Sequence, residues 1–235
     1  MKLLKNEWLQ LLILAAPFCV VALLWDKLPE RIPIHWNARG DINGYSGKAF
    51  GLWLMPIINI FIAILLGWLP RIDPRFKKTE GEAGASMARV FKIIRLVITG
   101  FNAGVEFAIL AFALHYHFDM TRFMVGSLAL LFIILGNLMN KVRPNYFVGI
   151  RTPWTLESRT VWLKTHRLGG RTMVAAGICM LLGMLVLPAK YLIWWDVLPI
   201  SILSTMIPAG YSFFCYQAEK KNPEMLTEQK PNESL

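Results

Sequence analysis

Residues 50–69 read FGLWLMPIINIFIAILLGWL, twenty residues without a charged side chain. A bilayer crossing takes about 20 mostly apolar residues, because the hydrocarbon core is about 30 Å thick and an α-helix rises about 1.5 Å per residue. The core helix of a water-soluble domain does not need such a run. The stretch therefore predicts a transmembrane helix, since lipid leaves the free backbone groups of any open structure without hydrogen-bond partners.

Five further apolar stretches have a similar length and composition. Together with the first they predict an all-α membrane protein built as a bundle of six transmembrane helices. The predicted spans are residues 8–25, 50–69, 90–114, 123–139, 173–189 and 192–214. Along the chain we predict an N-terminal two-helix unit over 1–69, a four-helix unit over 70–215 and a disordered polar tail over 216–235.

The composition of the whole chain agrees with this class. Of its 235 residues 55% are hydrophobic and only 17% are charged, whereas a soluble domain has about 25% charged residues. The mean hydropathy is +0.46. These values exclude a disordered chain, a coiled coil and a disulfide-stapled secreted module. The three cysteines, Cys19, Cys179 and Cys215, all fall inside apolar stretches, where a cysteine is expected to act as a small hydrophobic residue.

The positive charges are distributed unequally between the two sides of the predicted bundle. Of the 25 Lys and Arg residues, 19 lie at the N-terminus, in the segments 70–95 and 140–171 or in the C-terminal tail, and 6 lie on the other side. Lys and Arg accumulate on the cytoplasmic side, so both termini are predicted on the cytoplasmic side of the membrane. The net charge of +10 is then a sign of topology, and no direct nucleic-acid partner is expected.

The predicted outer loop between the first two spans contains LPERIPIHWNARGDINGY at residues 28–45. Its prolines hold the chain extended, and its Asn, Asp and Gly residues favour turns. We expect a structured cap over the outer mouth of the bundle. Within it, His35, Trp36 and Asn37 are candidate residues of an outer binding site.

The longest predicted inner loop, residues 136–171, reads GNLMNKVRPNYFVGIRTPWTLESRTVWLKTHRLGGR. Thr152 is suited to be the N-cap of a helix, with Pro153 at its first position. We expect this helix to run to about Leu168 and to end at the following glycine pair. Trp154 and Trp162 would anchor it as an amphipathic helix lying on the inner membrane surface.

Both loops resemble motifs of known bacterial membrane proteins. The outer loop is similar to a short membrane domain with the pattern L-P-x-x-I-P-x-H-x-x-x-x-G-x-x-x-G. The inner loop closely resembles the signature of the SdpI family of membrane immunity proteins, in which the outer motif is also common. The signature positions are filled by Gly136, Asn137, Lys141, Arg143, Asn145, Gly149, Ile150, Arg151, Thr152, Pro153, Trp154, Thr155, Leu156, Ser158, Val161, Trp162, Thr165 and His166.

This resemblance implies a protein that protects its cell from a secreted peptide toxin that attacks the membrane. In the best-known system of the family, the toxin-bound immunity protein also recruits a cytoplasmic repressor and thereby relieves transcription. The implied partners are a peptide toxin, the lipid bilayer and such a repressor. No cofactor is implied, and the resemblance favours a protein that is not an enzyme.

One acidic residue, Glu106, falls inside the third predicted span. It lies nine residues before His115, which places it about 13 Å below the outer end of the helix. A carboxylate at this depth is costly and should face the bundle interior or a water cavity. It either forms a hydrogen bond with Asn59 or Asn102 in a structural role, or takes part in binding or proton handling. Asn102 is four residues earlier and shares its helix face. Together with His35, Trp36 and Asn37, both residues are candidates for the outer or toxin-binding site.

Three histidines, His35, His115 and His117, lie on the predicted outer side, with Asp41 and Asp119 nearby in sequence. Such a set could bind Zn²⁺, or the histidines could simply be polar residues at helix ends. A bound metal close to Glu106 would favour an alternative function, a metal-dependent intramembrane hydrolase or a small-solute transporter. The sequence contains no nucleophile elbow, P-loop or dinucleotide-binding pattern.

Overall fold

The computed structural model describes residues 7–77 and 81–221. Within these two ranges, six helices are long and apolar enough to cross a membrane. The prediction of an all-α, six-span membrane protein is therefore confirmed. The spans are Trp8–Lys27, Lys48–Ile72, Gly84–Ala113, Met120–Met139, Arg159–Val186 and Ala189–Lys221.

A small β-hairpin joins the first two spans. Helix α1 (Trp8–Leu24) is followed by a 3-10 turn, and helix α2 spans Lys48–Ile72. Between them, strand β1 (Arg31–Trp36) pairs antiparallel with strand β2 (Ile42–Gly47). The sequence predicted extended chain and turns in this loop, but not a sheet.

The turn of the hairpin is closed by its own asparagine. The side-chain oxygen of Asn37 accepts hydrogen bonds from the backbone N–H groups of Arg39 and Asp41, at 2.8 and 3.0 Å. Gly40 adopts a φ of 90°, which glycine tolerates because it has no Cβ. The hairpin packs the fully buried Ile32 into the core between the helices, and so forms the predicted cap.

Two helices follow α2 on the opposite side of the bundle from the hairpin. The short helix α3 (Pro74–Lys77) is capped by Asp73, whose carboxylate accepts from two of its backbone N–H groups at 2.8 and 3.2 Å. Helix α4 (Gly81–Ala113) then crosses back. Its end is fixed by His115, whose φ of 65° is in the left-handed region.

Helices α5 (Met120–Met139) and α6 (Pro153–Glu157) flank the predicted inner loop. The N-cap prediction is confirmed, because the hydroxyl of Thr152 accepts from the backbone N–H of Thr155 and Pro153 occupies the first helical position. The loop between α5 and α6 is irregular and contains the central part of the inner signature, which continues into α6 and α7.

The predicted amphipathic helix on the membrane surface is wrong. Helix α6 ends at Ser158, whose side chain caps helix α7 (Arg159–Val186) by accepting from the backbone N–H of Val161 at 3.2 Å. Helix α7 continues through the glycine pair into the fifth span. A Cβ on Gly170 would lie 2.7 Å from the carbonyl oxygen of Gly136 on α5. The pair therefore permits close helix packing and does not end the helix.

The sixth span is interrupted near its start. Helix α8 (Ala189–Tyr191) leads into a π-helical segment (Leu192–Val197), and helix α9 covers Leu198–Lys221. Helix α9 includes residues 216–221, which the sequence assigned to a disordered tail. The remainder of that predicted tail, 222–235, lies outside the described residues.

The helices pack in two groups. Helix α4 lies against α1 and α2, whereas α7 lies against α5 and α9. We call the end of the bundle that carries the β-hairpin the hairpin end, and the opposite end, with residues 140–158, the loop end. The domain boundary near residue 69 stays a prediction, although α4 shares its core with α1 and α2.

The orientation of the bundle is a testable prediction from the charge distribution. In a variant whose three native cysteines are replaced by alanine, Asn43→Cys should react with a membrane-impermeant maleimide on intact cells, and Lys164→Cys should not. Both positions are exposed, at the hairpin end and the loop end respectively. Reaction at position 164 with protection at position 43 would reverse the assignment.

Candidate functional site

A cavity of about 590 Å³ lies at the hairpin end, beneath strand β1 and between the two helix groups. Its walls are almost entirely apolar, and polar side chains occur only on the strand side and at one position of α5. Such a cavity suits an apolar ligand with few polar groups. The lining residues are Ile34, His35, Trp36, Asn37, Ala38, Phe50, Gly51, Leu54, Met55, Val105, Ile109, Met120, Thr121, Met124 and Ile193.

Three predicted outer-site residues line this cavity. The Nδ1 atom of His35 lies 2.6 Å from the side-chain oxygen of Asn43, which can only accept a hydrogen bond, so Nδ1–H donates. Trp36 packs edge-on against Phe112, with ring centroids 5.6 Å apart. Among the described residues, its buried indole N–H has no hydrogen-bond partner. The strand thus presents an aromatic ring and a free donor beside an apolar wall.

The fourth predicted residue, Glu106, does not line the cavity, although its neighbours Val105 and Ile109 do. Its side chain is only 1% exposed. Neither carboxylate oxygen has a hydrogen-bond partner in the part of the chain that the structure describes. Glu106 therefore lies inside the helix bundle, close to the cavity in sequence but not part of its surface.

The predicted hydrogen bonds from Glu106 to two asparagines are not formed. The amide of Asn59 donates to the backbone oxygen of Thr99 at 3.0 Å. The amide of Asn102 donates to the backbone oxygen of Ile98 at 3.1 Å. Both amides are held by α4 backbone oxygens one or more turns from Glu106. The structural interpretation of Glu106 through these partners is therefore wrong.

The outer histidines do not form a compact metal-binding group. The rings of His115 and His117 lie 6.3 Å apart, and His117 packs against Phe112, while His35 bonds across the hairpin. Over residues 7–77 and 81–221, no group of three or more His, Cys, Asp or Glu side chains is placed to hold a metal ion. A Zn²⁺ site stays a prediction, which metal analysis of the purified protein tests.

At the loop end, Asn145 organises the irregular loop. Its amide nitrogen donates to the backbone oxygens of Arg143 and Val148, and its oxygen accepts from the backbone N–H groups of Phe147 and Val148. The side chain is fully buried. These four bonds use both N–H groups and both lone pairs of the amide, so Asn145 holds the loop and does not contact a ligand.

Trp162 and His166 form the centre of this end of the bundle. The indole N–H of Trp162 donates to the backbone oxygen of Val142 at 2.9 Å. The two rings stack with centroids 3.9 Å apart. His166 Nε2 accepts from the backbone N–H of Ile150 at 3.1 Å, and Nδ1 lies 2.9 Å from the backbone oxygen of Trp162. The prediction that Trp162 anchors the chain at the membrane interface is wrong, because its side chain is fully buried.

The threonine cap of α6 also ties the loop to the sixth span. The hydroxyl of Thr152 lies 3.0 Å from that of Ser212 on α9. Trp154 packs against Phe213, with ring centroids 5.1 Å apart. Trp154 is only half-buried, so it joins two elements at the edge of the bundle.

Five predicted signature residues are exposed at the loop end: Asn137, Lys141, Arg143, Arg151 and Pro153. The guanidinium of Arg151 donates to the backbone oxygen of Tyr146. The loop end therefore combines a buried network with an exposed, positively charged surface.

Comparison with known proteins matches these same regions. Residues 141–214 match the SdpI/YfhL protein family, and residues 12–60 match a domain of unknown function, DUF1648. The chain is 26% identical over 174 residues to "Immunity protein SdpI" of Bacillus subtilis (strain 168), which covers 74% of this chain and 78% of that protein. The chain is thus similar to the SdpI family over residues 141–214. No solved structure matches it.

The similarity to an SdpI immunity protein and the six spans together indicate a multi-pass protein of the cytoplasmic membrane. The SdpI/YfhL match begins inside the inner signature and ends within α9. The DUF1648 match covers most of α1, the hairpin and the first half of α2. The DUF1648 match includes the strand side of the cavity, and the SdpI/YfhL match includes the buried network around Trp162 and His166.

Sequence analysis missed several buried polar residues. Asp73 caps α3 and also accepts from the backbone N–H of Tyr146 at 2.8 Å; an Asp-Pro pair before a helix could have indicated it. Asp196 is buried in the π-helical segment, against Gly183 of α7. Gln10 donates to the hydroxyl of Thr99 at 3.0 Å. The partners of the last two lie on other helices, so local patterns carry no signal for them.

Proposed function

We propose that this chain is an immunity protein that protects a bacterial cell from a secreted peptide toxin acting on its membrane. The observation that carries the proposal is the similarity to Immunity protein SdpI over 174 residues. That similarity covers most of both chains and agrees with the matches to both halves of the bundle.

The hairpin-end cavity is the place where we propose that the toxin binds. A membrane-active peptide offers apolar side chains together with backbone carbonyl groups. The apolar walls of the cavity fit the first, and the hydroxyl of Thr121 in its lining can donate to the second. The exposed His35 beside it supplies a further polar contact at the mouth.

Survival of a toxin-sensitive bacterium that lacks its own immunity gene tests this function. Cells that express the full chain are exposed to a panel of secreted membrane-active peptide toxins, with the Bacillus subtilis relative as positive control. We expect protection against at least one toxin. A lack of protection across the panel, with the protein present in the membrane in amounts equal to the control, would contradict the proposal.

We further propose that toxin binding is signalled to a cytoplasmic partner, such as a repressor, through the loop end. The exposed guanidinium groups of Arg151 and Arg159 are supported by a rigid buried network. Paired guanidinium donors are well suited to an acidic surface on another protein. Binding at one end would shift the helices between two packings and change how these groups are presented.

Arg151→Ala combined with Arg159→Ala is expected to abolish toxin-dependent recruitment of the partner and to leave toxin resistance largely intact. The measurement compares cytoplasmic proteins bound to the membrane with and without toxin, alongside cell survival. Arg31→Ala combined with Arg39→Ala, two exposed arginines at the hairpin end, is the charge-matched control. If the double variant lost both toxin resistance and recruitment while its amount in the membrane was unchanged, the arginines would instead support the fold or the toxin site.

A further inference from the structure

One face of helix α4 carries polar residues from the loop end to well inside the membrane. Arg95, Thr99, Asn102 and Glu106 follow one another at spacings of four, three and four residues. Residues at these spacings lie above one another on one face of a helix. We call this set the polar stripe. It rises about 16 Å along α4 from Arg95 to Glu106.

The stripe begins at a hydrated ion cluster. The carboxylate of Glu7, just before α1, forms a salt bridge with Arg95 and lies 3.5 Å from the ammonium group of Lys92. About a third of the Glu7 and Lys92 side chains is exposed. Water therefore reaches the loop end of the stripe.

The middle of the stripe is Thr99, which two amides approach from different helices. Gln10 of α1 donates to its hydroxyl and Asn59 of α2 donates to its backbone oxygen, both at 3.0 Å. The hydroxyl in turn donates to the backbone oxygen of Arg95 at 2.8 Å. The oxygen of each amide, Gln10 Oε1 and Asn59 Oδ1, is buried without a partner among the described residues. The amide oxygens of Gln10 and Asn59 are therefore available to accept hydrogen bonds near the hydroxyl of Thr99.

The stripe ends at Glu106, where both carboxylate oxygens are also without partners in the described chain. Glu106 is seven residues beyond Thr99, which is about 10 Å along the helix. One metal ion coordinated by oxygen ligands at about 2.5 Å cannot bridge that separation. The set therefore suits a mobile proton and does not suit a single bound cation.

No ionic partner for Glu106 is present on the described elements that pack against α4. Helix α1 has no charged residue between its ends. The charged side chains of the other packed elements all lie near one end of the bundle. They are Lys48 and Arg71 of α2, Arg122 of α5, Arg31 and His35 of β1, and Arg89, Lys92 and Arg95 of α4 itself.

We propose that Glu106 binds an exchangeable proton, which reaches it from the loop end along the polar stripe. An ionised carboxylate buried in the membrane without a counter-ion is costly, so the acid form occupies the site. The hydroxyl of Thr99 and the two amide oxygens provide relay positions beside the hydrated cluster at Glu7, and water entering the bundle carries the proton over the remaining length of about 10 Å to Glu106. This site is separate from the toxin cavity, and the inference does not depend on toxin resistance.

Reaction with dicyclohexylcarbodiimide tests the proposal, because this membrane-permeant reagent adds to a protonated carboxyl and rearranges to a stable N-acylurea. The full chain is reconstituted in vesicles whose loop end faces the medium, and labelled peptides are identified by mass spectrometry. Raising the pH of the medium is expected to slow labelling of Glu106 by about tenfold or more. Raising the pH of the lumen is expected to leave the rate unchanged. Glu106→Gln removes the label.

Two variants test the path. Thr99→Val and Gln10→Leu remove relay groups, and each should make labelling of Glu106 insensitive to a rapid pH change in the medium. Thr205→Val is the matched control, since the hydroxyl of Thr205 is exposed and bonds only within its own helix. Thermal melting identifies any variant that fails to fold, and Asn59→Leu then replaces it. Labelling that follows the lumenal pH, an unlabelled Glu106 at every pH, or wild-type behaviour of the path variants would overturn the proposal.

Discussion

Gly177→Leu is expected to remove nearly all folded protein from the membrane, whereas Gly104→Leu is expected to leave the amount unchanged. A Cβ on Gly177 would lie 2.5 Å from the backbone oxygen of Ala129 and 2.6 Å from Cγ1 of Ile133, both on α5. A Cβ on Gly104 meets nothing within 4 Å. Backbone cannot yield as a flexible side chain can, so α5 and α7 would have to separate.

Overpacking of a tight core costs about 1–3 kcal/mol or more, and α5 and α7 form the most extensive helix pair of the bundle. The measurement is membrane abundance together with thermal melting of the detergent-solubilised protein. Gly177→Ala should give an intermediate loss, because its single methyl group makes the same contact with less volume. Equal melting temperatures for the leucine variants at positions 177 and 104 would contradict the packing argument.

The six spans could be predicted because the length of a charge-free stretch is a local property of the sequence. The N-cap at Thr152 was predictable for the same reason, since the hydroxyl, the proline and the bonded N–H lie within four residues. The hairpin was only half-predicted. Prolines and turn residues indicated a structured cap, but pairing of β1 with β2 depends on the packing of Ile32 beneath it.

The helix predicted from Thr152 to about Leu168 was mispredicted because its local sequence pattern is compatible with two different structures. Tryptophans among cationic residues are typical of a membrane interface, yet Trp162 finds an acceptor in the backbone oxygen of Val142 and is buried. Gly169 and Gly170 are typical of a helix end, yet Gly170 lies where α5 and α7 approach closely and Gly169 faces Pro208 of α9. Both choices are decided by residues twenty or more positions away, which no local pattern contains.

The candidate site was predicted in part. His35, Trp36 and Asn37 do line the hairpin-end cavity, whereas Glu106 and Asn102 do not. The opposite wall comes from distant segments of α5 and the π-helical segment, and residues such as Met124 carry no chemical motif. An apolar wall is chemically indistinguishable from a lipid-facing surface until the helices are placed.

Met124→Trp is expected to lower toxin resistance by about tenfold or more, which corresponds to about 1.4 kcal/mol of binding free energy. Met124 lines the cavity from α5, and the larger indole would occupy space that the toxin needs. The methionine is half-buried and borders empty space, so the helix packing should accept the change. Resistance is measured as the toxin concentration that halves survival, normalised to the amount of protein in the membrane.

Met206→Trp provides the matched control, because Met206 is 62% exposed on α9 and does not line the cavity. At position 206 the larger tryptophan side chain would extend away from the bundle, so toxin resistance should be unchanged. A cavity that binds toxin therefore predicts a large difference between two chemically identical changes. Full resistance of the Met124→Trp variant at normal abundance would exclude the cavity as the toxin site, and equal loss in both variants would show that added bulk acts elsewhere than in the cavity.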